Sequence, residues 1–410
     1  MSTLKVLRPT LPILIGASLM LTLSMGLRQS LGIFVQPLTR DVGISVSDFT
    51  LAIAAQNLVW GLLQPLTGGL AVRYGFRTIT MVGAVSYVAG LALMATAHGL
   101  ISIMVGAGVL IGASLACTAS AMAQSVSARA VPESARSTVL GIVSASGSLG
   151  ALLSAPLGQV LISAFSWRTG LVGFVALAVL MIPAALYASR VDKLSSGASS
   201  DQLKNVSAGA AVKTAFTNVS FLVMTIAFFV CGMQLTFITT HLPSYLAICG
   251  LDPMLSAEAL GVIGGFNVLG SLFFGWAGGR WNKLALLGAI YICRSLVLAL
   301  YFMVPPTPLS TLIFSAAMGF LWLGVSPLVA GSVVEMFGLK WQAMIQGLAF
   351  MSHQIGSFVG AYGGGLIYDV AGSYALAWRI GVAVGLAAGV VQVTFALARP
   401  AASPPVLRTA

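Results

Sequence analysis

The sequence predicts an all-α membrane protein whose twelve transmembrane helices form two six-helix, pseudo-symmetric halves. Its composition is the first reason, because 58% of the 410 residues are hydrophobic and only 7% are charged, whereas soluble domains carry about one quarter charged residues. Its apolar runs are the second, because they reach the roughly 20 residues that a membrane-spanning helix needs and contain Gly and Pro. Strands of a membrane barrel would instead give alternating runs of about ten residues. An internal repeat is the third reason.

The apolar runs, taken in order, predict twelve spans joined by short polar turns. The first run is long enough to span and continues directly into the fold, so it is expected to be span 1 and not a cleaved signal. Residues 190–217 are polar and Ser-rich without apolar periodicity, which predicts a flexible cytoplasmic linker between an N-terminal bundle, 1–189, and a C-terminal bundle, 218–410. The twelve spans are 11–38, 49–72, 78–98, 100–126, 138–164, 168–189, 218–249, 257–278, 284–303, 309–334, 342–368 and 374–398.

The repeat appears when the residue numbers of the first bundle are shifted by 206 without gaps. Small and turn-forming residues then match in equivalent spans throughout the two halves. A parallel repeat of six plus six spans, with a site near the membrane midplane between the halves, is typical of transporters. The matched pairs include Gly26 and Gly232, Pro37 and Pro243, Gly69 and Gly275, Arg77 and Lys283, Gly141 and Gly347, Ser146 and Ser352, Gly150 and Gly356, and Gly158 and Gly364.

The net charge of +11 is explained by the distribution of the basic residues. Of the 20 lysines and arginines, 15 fall in segments that the twelve-span topology places in the cytoplasm. Arg40, Arg168 and Arg379 fall on the other face, while Arg28 and Arg294 lie within spans. This bias follows the positive-inside rule. It predicts a multi-pass protein of the cell (inner) membrane with both termini in the cytoplasm, and it requires no nucleic-acid partner.

The turn between spans 2 and 3 carries a motif, Gly69-Leu70-Ala71-Val72-Arg73-Tyr74-Gly75-Phe76-Arg77. It resembles the Gly-x-Leu-Ala-Asp-Arg-x-Gly-Arg-Lys signature of the major facilitator superfamily, and a weaker copy runs from Gly275 to Lys283. The resemblance implies the major facilitator fold and alternating access, with gating roles for the residues that match the two copies. The family's Asp is Val72 here, so its usual contact with an Arg is missing. The implied gating residues are Gly69, Arg73, Gly75, Arg77 and Arg280.

A second motif, GLIYDVAGSY at residues 365–374, follows a Gly-rich stretch at 356–365. Within the superfamily it resembles a bacterial branch related to monocarboxylate transporters and oxalate:formate antiporters. The chain departs from those families at two positions: Ser271 stands where span 8 carries an arginine, and His353 stands where the oxalate antiporters have a lysine. The resemblance therefore implies that the anion-binding arginine has moved to Arg28.

Arg28 is the most informative single residue, because a central arginine costs about 2.5 to 3.5 kcal/mol to insert into a bilayer. An arginine kept at such a position normally faces a cavity or a partner, which predicts contact with substrate. The alternative is that it snorkels to the headgroups or ties two helices together.

Polar residues on the spans that line the central cavity in this superfamily complete the predicted site. The candidate substrate-binding residues are Arg28, Gln29, Asn57, Gln124, Asn267, His353 and Gln354. His353 is also predicted to carry a coupled proton, since its titration lies near physiological pH; a neutral ring bonded to a backbone carbonyl is the alternative. Arg294 is expected to be structural or to snorkel, unless span 9 turns it inward, which would make it a second anion site.

No Asp or Glu lies well inside any predicted span, whereas transporters of cations generally need a buried carboxylate. An unpaired Arg28 instead favours a carboxylate ligand. We therefore predict a monomeric, proton-coupled secondary transporter of a small, monocarboxylate-like organic anion in the lipid bilayer. A proton antiporter that exports a drug or hydrophobic metabolite is the alternative. No catalytic dyad, cofactor motif or metal-ligand spacing is visible, so neither an enzyme nor a cofactor or metal is expected.

Overall fold

The computed structural model describes residues 8–194 and 206–398, and within these ranges the regular structure is helical. The first half contains nine α-helices, with a π-helical stretch at Met104–Leu110 between the fourth and fifth. They are α1 (Leu11–Gln29), α2 (Val35–Asp41), α3 (Val46–Ala95), α4 (Leu100–Ile103), α5 (Ile111–Thr118), α6 (Ser120–Ala130), α7 (Glu133–Ala164), α8 (Trp167–Val179) and α9 (Met181–Ala188).

The second half repeats the pattern of long apolar helices joined by short turns. They are α10 (Ala208–Thr217), α11 (Val219–Ile248), α12 (Pro253–Ala277), α13 (Lys283–Phe302), α14 (Pro308–Trp322), α15 (Val325–Phe337), α16 (Gln342–Ala371) and α17 (Ala375–Ala398).

Ten helical segments of the described chain are long and apolar enough to cross a membrane. The longest, α3, has 50 residues, or about 75 Å of helix, which is more than twice the roughly 30 Å hydrocarbon thickness. It changes direction at Gly75, so it contains predicted spans 2 and 3. Helix α16 has 30 residues and the position of span 11, but it is more polar and is not one of the ten. The all-helical, multi-pass fold is confirmed, and the count of twelve crossings stays a prediction.

The change of direction in α3 depends on Gly75, whose φ of 82° and ψ of 155° lie outside the helical region. A positive φ of this kind strains residues that have a Cβ. The helix after the turn is capped by Asp192, whose carboxylate accepts hydrogen bonds from the backbone N–H groups of Phe76 and Arg77, each at 3.0 Å. A carboxylate at a helix start satisfies free N–H groups and complements the helix dipole.

The offset of 206 corresponds to equivalent helix contacts in the two halves. In the first half, a Cβ on Gly26 of α1 would lie 2.6 Å from the carbonyl carbon of Gly150 on α7. In the second half, a Cβ on Gly232 of α11 would lie 2.9 Å from the carbonyl carbon of His353 on α16, and one on Gly356 of α16 would lie 2.8 Å from the carbonyl carbon of Phe229 on α11. Small residues allow such close backbone approach between membrane helices. The pseudo-symmetric architecture predicted from the repeat is thus confirmed.

The segment predicted as a flexible linker, 190–217, contains helix at both of its described ends. Residues Ser189–Lys193 form a 3₁₀ turn, and α10 packs through buried Ala211 and Ala215. This helix forms because Ser207 caps it, accepting a hydrogen bond from the N–H of Ala210 at 3.3 Å, and because alanine has the highest helix propensity. The polar composition of the whole segment conceals these signals. The middle of the linker, 195–205, lies outside the described residues, and the domain boundaries stay predictions.

The ends of the long helices lie on two opposite sides of the bundle. We call the end with Gly75, Val131, Asp192, Arg280 and Gly338 the Gly75 end, and the end with Gly43, Gly99, Phe165, Gly250 and Gly372 the Gly43 end. The positive-inside bias predicts that the Gly75 end is cytoplasmic.

Candidate functional site

Arg28 occupies the last turn of α1, where the first long helix breaks. The chain continues into a 3₁₀ turn at Leu31–Phe34, and the Ser30 hydroxyl donates to the carbonyl oxygen of Gly26 at 2.9 Å. A cation in the last turn of a helix is favoured by the negative end of the helix dipole. Local structure therefore places the guanidinium beside a helix break inside the bundle, where it is half-buried.

The guanidinium of Arg28 points to α3 and not to the headgroups. Its Nε donates to Oε1 of Gln56 at 3.1 Å, its Nη2 donates to Oδ1 of Asn57, and its Cζ lies 5.1 Å from the centre of the Trp60 ring. Gln56 is fully buried, and its own Nε2 donates to the carbonyl oxygen of Ala107 at 2.7 Å. This second bond fixes the amide so that its oxygen faces Arg28.

The contacts of Arg28 leave its charge uncompensated. Both of its hydrogen-bond acceptors are neutral amides, and no carboxylate of the described residues makes an ion pair with it. A guanidinium has five N–H donors, of which these bonds use two. The remaining donors and the full positive charge are thus available to a ligand.

The second half of the bundle reaches this cluster through α16. Nε2 of Gln354 donates to the backbone oxygen of Asn57 at 3.1 Å, and Oε1 of the same amide lies 3.4 Å from Nδ1 of His353. The His353 ring lies 4.5 Å from the ring of Phe228 and 5.7 Å from that of Phe350, between centroids. Arg28, Asn57, Gln354 and His353 therefore form one polar cluster, contributed by both halves.

An aromatic wall adjoins the cluster, and sequence reasoning did not include it. The rings of Trp60 and Phe350 lie 4.6 Å apart across the interface between the halves, and Trp60 Nε1 donates to Gln64 at 2.9 Å. The spacing of four between Gln56 and Trp60 was the available signal, because such residues share a helix face.

Three predicted substrate-binding residues make no hydrogen bond to the Arg28 cluster among the described residues. Gln29 is exposed at the end of α1. Gln124 is fully buried, donating to Ser326 at 2.9 Å and accepting from Gln346 at 2.6 Å, so it joins the halves. Asn267 accepts from the backbone N–H of Leu323 at 3.2 Å, which satisfies the break between α14 and α15.

The halves close on each other toward the Gly75 end. Nη2 of Arg129 donates to the carbonyl oxygens of Leu339 and Lys340 at 2.8 Å each, and the Ser137 hydroxyl donates to the carbonyl oxygen of Gly275 at 2.8 Å. A Cβ on Gly141 would lie 2.7 Å from the Cα of Gly275, which places the backbones of α7 and α12 in direct contact.

Toward the Gly43 end α12 carries glycines with free space. A Cβ on Gly261, Gly264 or Gly265 of α12 would meet no atom within 4 Å. The contacts of α7 with α12 are therefore tight at the Gly75 end, whereas α12 has free space beside its glycines toward the Gly43 end.

Of the gating residues implied by the family motif, some contact the other half of the protein and others contact residues of their own half. Gly69 lies against Met344 of the other half, where a Cβ on the glycine would be 3.4 Å from Sδ, and Gly75 forms the turn. The cations stack within their own halves, Arg73 on Tyr74 and Arg280 on Trp276 at 5.2 and 4.2 Å. The side chain of Arg77 is exposed.

Val72, which replaces the family's Asp, packs against the core of the second half. An apolar contact therefore occupies the place of the missing charged one. The Arg129 contact was not predicted, because its acceptors are backbone carbonyls and leave no trace in the sequence.

An apolar groove of about 670 Å³ lies near the Gly43 end, away from Arg28. Its lining includes Tyr245, Phe302, Tyr374, Trp378 and Arg379. Its aromatic character and position near the helix ends are typical of the membrane–water interface. No residue of the Arg28 cluster lines the groove, so it is a different feature of the protein.

Comparison with known proteins agrees with this architecture. The family model of the Major Facilitator Superfamily matches residues 17–361. Monocarboxylate transporter 13 of Bos taurus is 25% identical over 360 residues, which cover 83% of this chain and 79% of that protein. The uncharacterized MFS-type transporter YcxA of Bacillus subtilis is 26% identical over 176 residues, covering 41% of this chain and 42% of that one.

Solved structures show the same fold. The proton:xylose symporter XylE, bound to 6-bromo-6-deoxy-D-glucose, superposes with a TM-score of 0.72 at 14% identity, covering 94% of this chain and 96% of that one. The fucose:proton symporter FucP of E. coli superposes with a TM-score of 0.71 at 16% identity, covering 94% and 98%. The chain therefore belongs to the Major Facilitator Superfamily and is a multi-pass membrane transporter that resembles the monocarboxylate transporters.

Proposed function

We propose that this transporter carries a small, monocarboxylate-like organic anion, coupled to protons, by alternating access of its two halves around the Arg28 cluster. The observation that carries the proposal is the Arg28 guanidinium, which is held by two neutral amide oxygens and has no carboxylate partner among the described residues. The monocarboxylate transporters among its relatives support the same class of substrate.

Electrostatics favour a carboxylate at this position over a neutral or cationic ligand. A half-buried charge is costly unless it is paired, and the free N–H groups of a guanidinium match the two oxygens of a carboxylate in bidentate geometry. Charge-assisted bonds of this kind contribute about 1.5 to 3 kcal/mol each. An anion therefore gains binding free energy from the charge of Arg28 that a neutral sugar would not gain.

The surroundings favour a ligand with one carboxylate and a short apolar body. The rings of Trp60, Phe228 and Phe350 border the polar cluster, so the part of the ligand beyond the carboxylate meets aromatic surface. Among the described residues Arg28 is the permanent cation of the hydrogen-bonded cluster, and Arg294, which acts on His353 electrostatically, is 0% exposed, so a second carboxylate would have no arginine of its own there.

We assign the coupled proton to His353. Its Nδ1 faces Oε1 of Gln354, whose Nε2 binds Asn57, the residue that also holds Arg28. A proton on the imidazole and an anion on Arg28 would thus meet within one hydrogen-bonded chain. Closure at the Gly75 end leaves the Gly43 end as the route of access in this conformation. We further propose an inner-membrane location with both termini cytoplasmic and a monomeric carrier.

A ligand panel tests the substrate class. Thermal unfolding of the purified protein is measured with acetate, lactate and pyruvate, with their uncharged amides, with xylose and fucose, and with a cationic dye, at pH 5.5 and 7.5. A carboxylate at a hundred times its dissociation constant should stabilise the protein by about 2.7 kcal/mol, and more strongly at pH 5.5 if a proton binds with it. Equal stabilisation by acid and amide, or by the sugars alone, would reject the proposal.

Replacing Asn57 by Asp offers an internal test of the charge argument. The new carboxylate would sit against Arg28 and form an ion pair that competes with the ligand. We expect the dissociation constant for the stabilising carboxylate to rise at least tenfold, about 1.4 kcal/mol, in titrations followed by thermal unfolding. Asn57→Ala, which removes the amide without adding charge, should raise it less. The argument fails if both variants weaken binding equally.

A further inference from the structure

Arg294 is a second intramembrane arginine, and it lies in the core of the second half. It is 0% exposed and lies about 17 Å along α13 from Lys283, near the middle of a helix about 30 Å long. A side chain at this depth and burial does not snorkel, so of the roles considered from the sequence a structural role and a second anion site are left.

None of the three guanidinium nitrogens of Arg294 has an oxygen or nitrogen acceptor among the described residues, and the polar side chain that interacts with it is the Cys231 thiol. The guanidinium Cζ lies 5.3 Å from the centre of the Tyr291 ring, and the hydroxyl of Tyr291 is also buried without a partner. Its other electrostatic neighbours include the Cys231 thiol. The site thus gathers hydrogen-bond donors around a buried positive charge, and no acid of the described residues pairs with it.

Gln234 of α11 is bonded to Ser295, the residue that follows Arg294. Its Nε2 donates to the Ser295 hydroxyl at 3.0 Å and to the carbonyl oxygen of Gly381 at 2.8 Å, so the amide links α11, α13 and α17. The three helices are therefore linked next to Arg294 by bonds that do not involve its guanidinium, and the guanidinium itself is fully buried.

Buried polar groups in folded proteins are hydrogen-bonded, and buried charges are paired. Water could satisfy individual N–H groups but would leave the charge uncompensated. Only an anion both accepts from the donors and balances the guanidinium.

We propose that Arg294, with Tyr291 and Cys231, binds a small monovalent anion in the core of the second half. The anion is small because Arg294 is closed off from the surface, and it is monovalent because one cation faces it. A halide and a formate-sized carboxylate share this chemistry. The site does not rest on the proposed function. Its residues make no hydrogen bond to the Arg28 cluster among the described residues, and His353 of that cluster interacts electrostatically with Arg294.

Thermal unfolding at constant ionic strength tests the proposal. The purified protein is transferred from sodium gluconate, whose anion is too large, to sodium chloride, bromide or formate. We expect the unfolding temperature to rise in the small anions, and the rise in chloride and bromide to be absent in Arg294→Met, which keeps an unbranched apolar side chain without the charge. Arg294→Met should also unfold at a higher temperature than the natural protein in gluconate.

A control variant separates the two arginines. Arg28→Gln should keep the small-anion response, and loss of the response there would overturn the assignment to Arg294. An unchanged unfolding temperature of the natural protein in all three anions, or an equal rise in Arg294→Met, would overturn it as well. In Arg28→Gln, where the proposed substrate site is lost, a response to formate alone would support the Arg294 site as one for carboxylates, and a response to all three anions would support it as one for small anions generally.

Tyr291→Phe keeps the test decisive if Arg294→Met does not fold. Loss of the hydroxyl donor should raise the apparent dissociation constant for bromide severalfold, and an unchanged constant would remove Tyr291 from the site. In crystals grown in sodium bromide, anomalous scattering should show a peak beside the guanidinium of Arg294. A map that shows bromide elsewhere and none at Arg294 would contradict the proposal.

Discussion

Arg28→Gln is expected to lower uptake of a labelled monocarboxylate by at least about 100-fold while leaving the protein folded. Removing one partner of a buried ion pair costs about 3 to 5 kcal/mol, since the other charge is left without compensation, and 1.4 kcal/mol corresponds to a factor of ten. Arg28→Lys keeps the charge but loses the bidentate fork, so its uptake should fall to an intermediate rate. The measurement is uptake of labelled lactate into proteoliposomes with an imposed pH gradient.

Arg379→Gln is the matched control for this experiment. Arg379 is exposed and borders the apolar groove near the Gly43 end, so the same chemical change there should leave uptake close to that of the natural protein. Unfolding temperatures of all variants establish that they are folded. Uptake by Arg28→Gln within twofold of the natural rate would rule out the assigned role of Arg28.

Gly275→Val is expected to lower transport strongly by preventing closure of the Gly75 end and not by weakening substrate binding. A Cβ at Gly275 would fall 2.9 Å from the backbone N of Gly141 and 3.2 Å from the carbonyl oxygen of Ser137, so α7 and α12 could not approach. The Gly75 end would then be unable to close, and alternating access requires that closure. We expect uptake to fall at least about tenfold in the proteoliposome assay, the equivalent of about 1.4 kcal/mol against the closed state.

The same helix offers a control for Gly275→Val. A Cβ at Gly265 would meet no atom within 4 Å, so Gly265→Val makes the same chemical change on α12 where there is room for it. Its uptake should remain within a few fold of the natural rate. If the two variants transport equally well, the backbone contact between α7 and α12 has no part in gating.

The fold was predictable because membrane insertion and helix packing leave strong local signals. Apolar length predicts the spans, and the glycines at positions 26, 150, 232 and 356 recur because close backbone approach excludes larger residues. The helix within 190–217 was missed because the polar composition of the segment hides the alanines that pack it. The number of crossings remained a prediction because α16, with its Gln and His residues, lacks the apolar length of the other helices.

The candidate site was predictable only in part. Arg28 could be identified because a charge within an apolar run is rare and costly. The bond between Asn57, which holds Arg28, and Gln354 could not, since it depends on how α3 and α16 cross between the halves. Arg129 and Arg294 show the same limit, because the partners of Arg129 are backbone carbonyls and the burial of Arg294 depends on the rotation of α13.

Calorimetric binding of lactate and of lactamide, to the natural protein and to Arg28→Gln, tests most directly whether the Arg28 charge selects the substrate. The two ligands have nearly the same shape and differ in charge. We predict that the natural protein binds lactate at least about tenfold more tightly than lactamide, and that this preference disappears in Arg28→Gln. A preference of the same size in both proteins would show that another group reads the carboxylate, and the absence of any preference in the natural protein would contradict an anion site at Arg28.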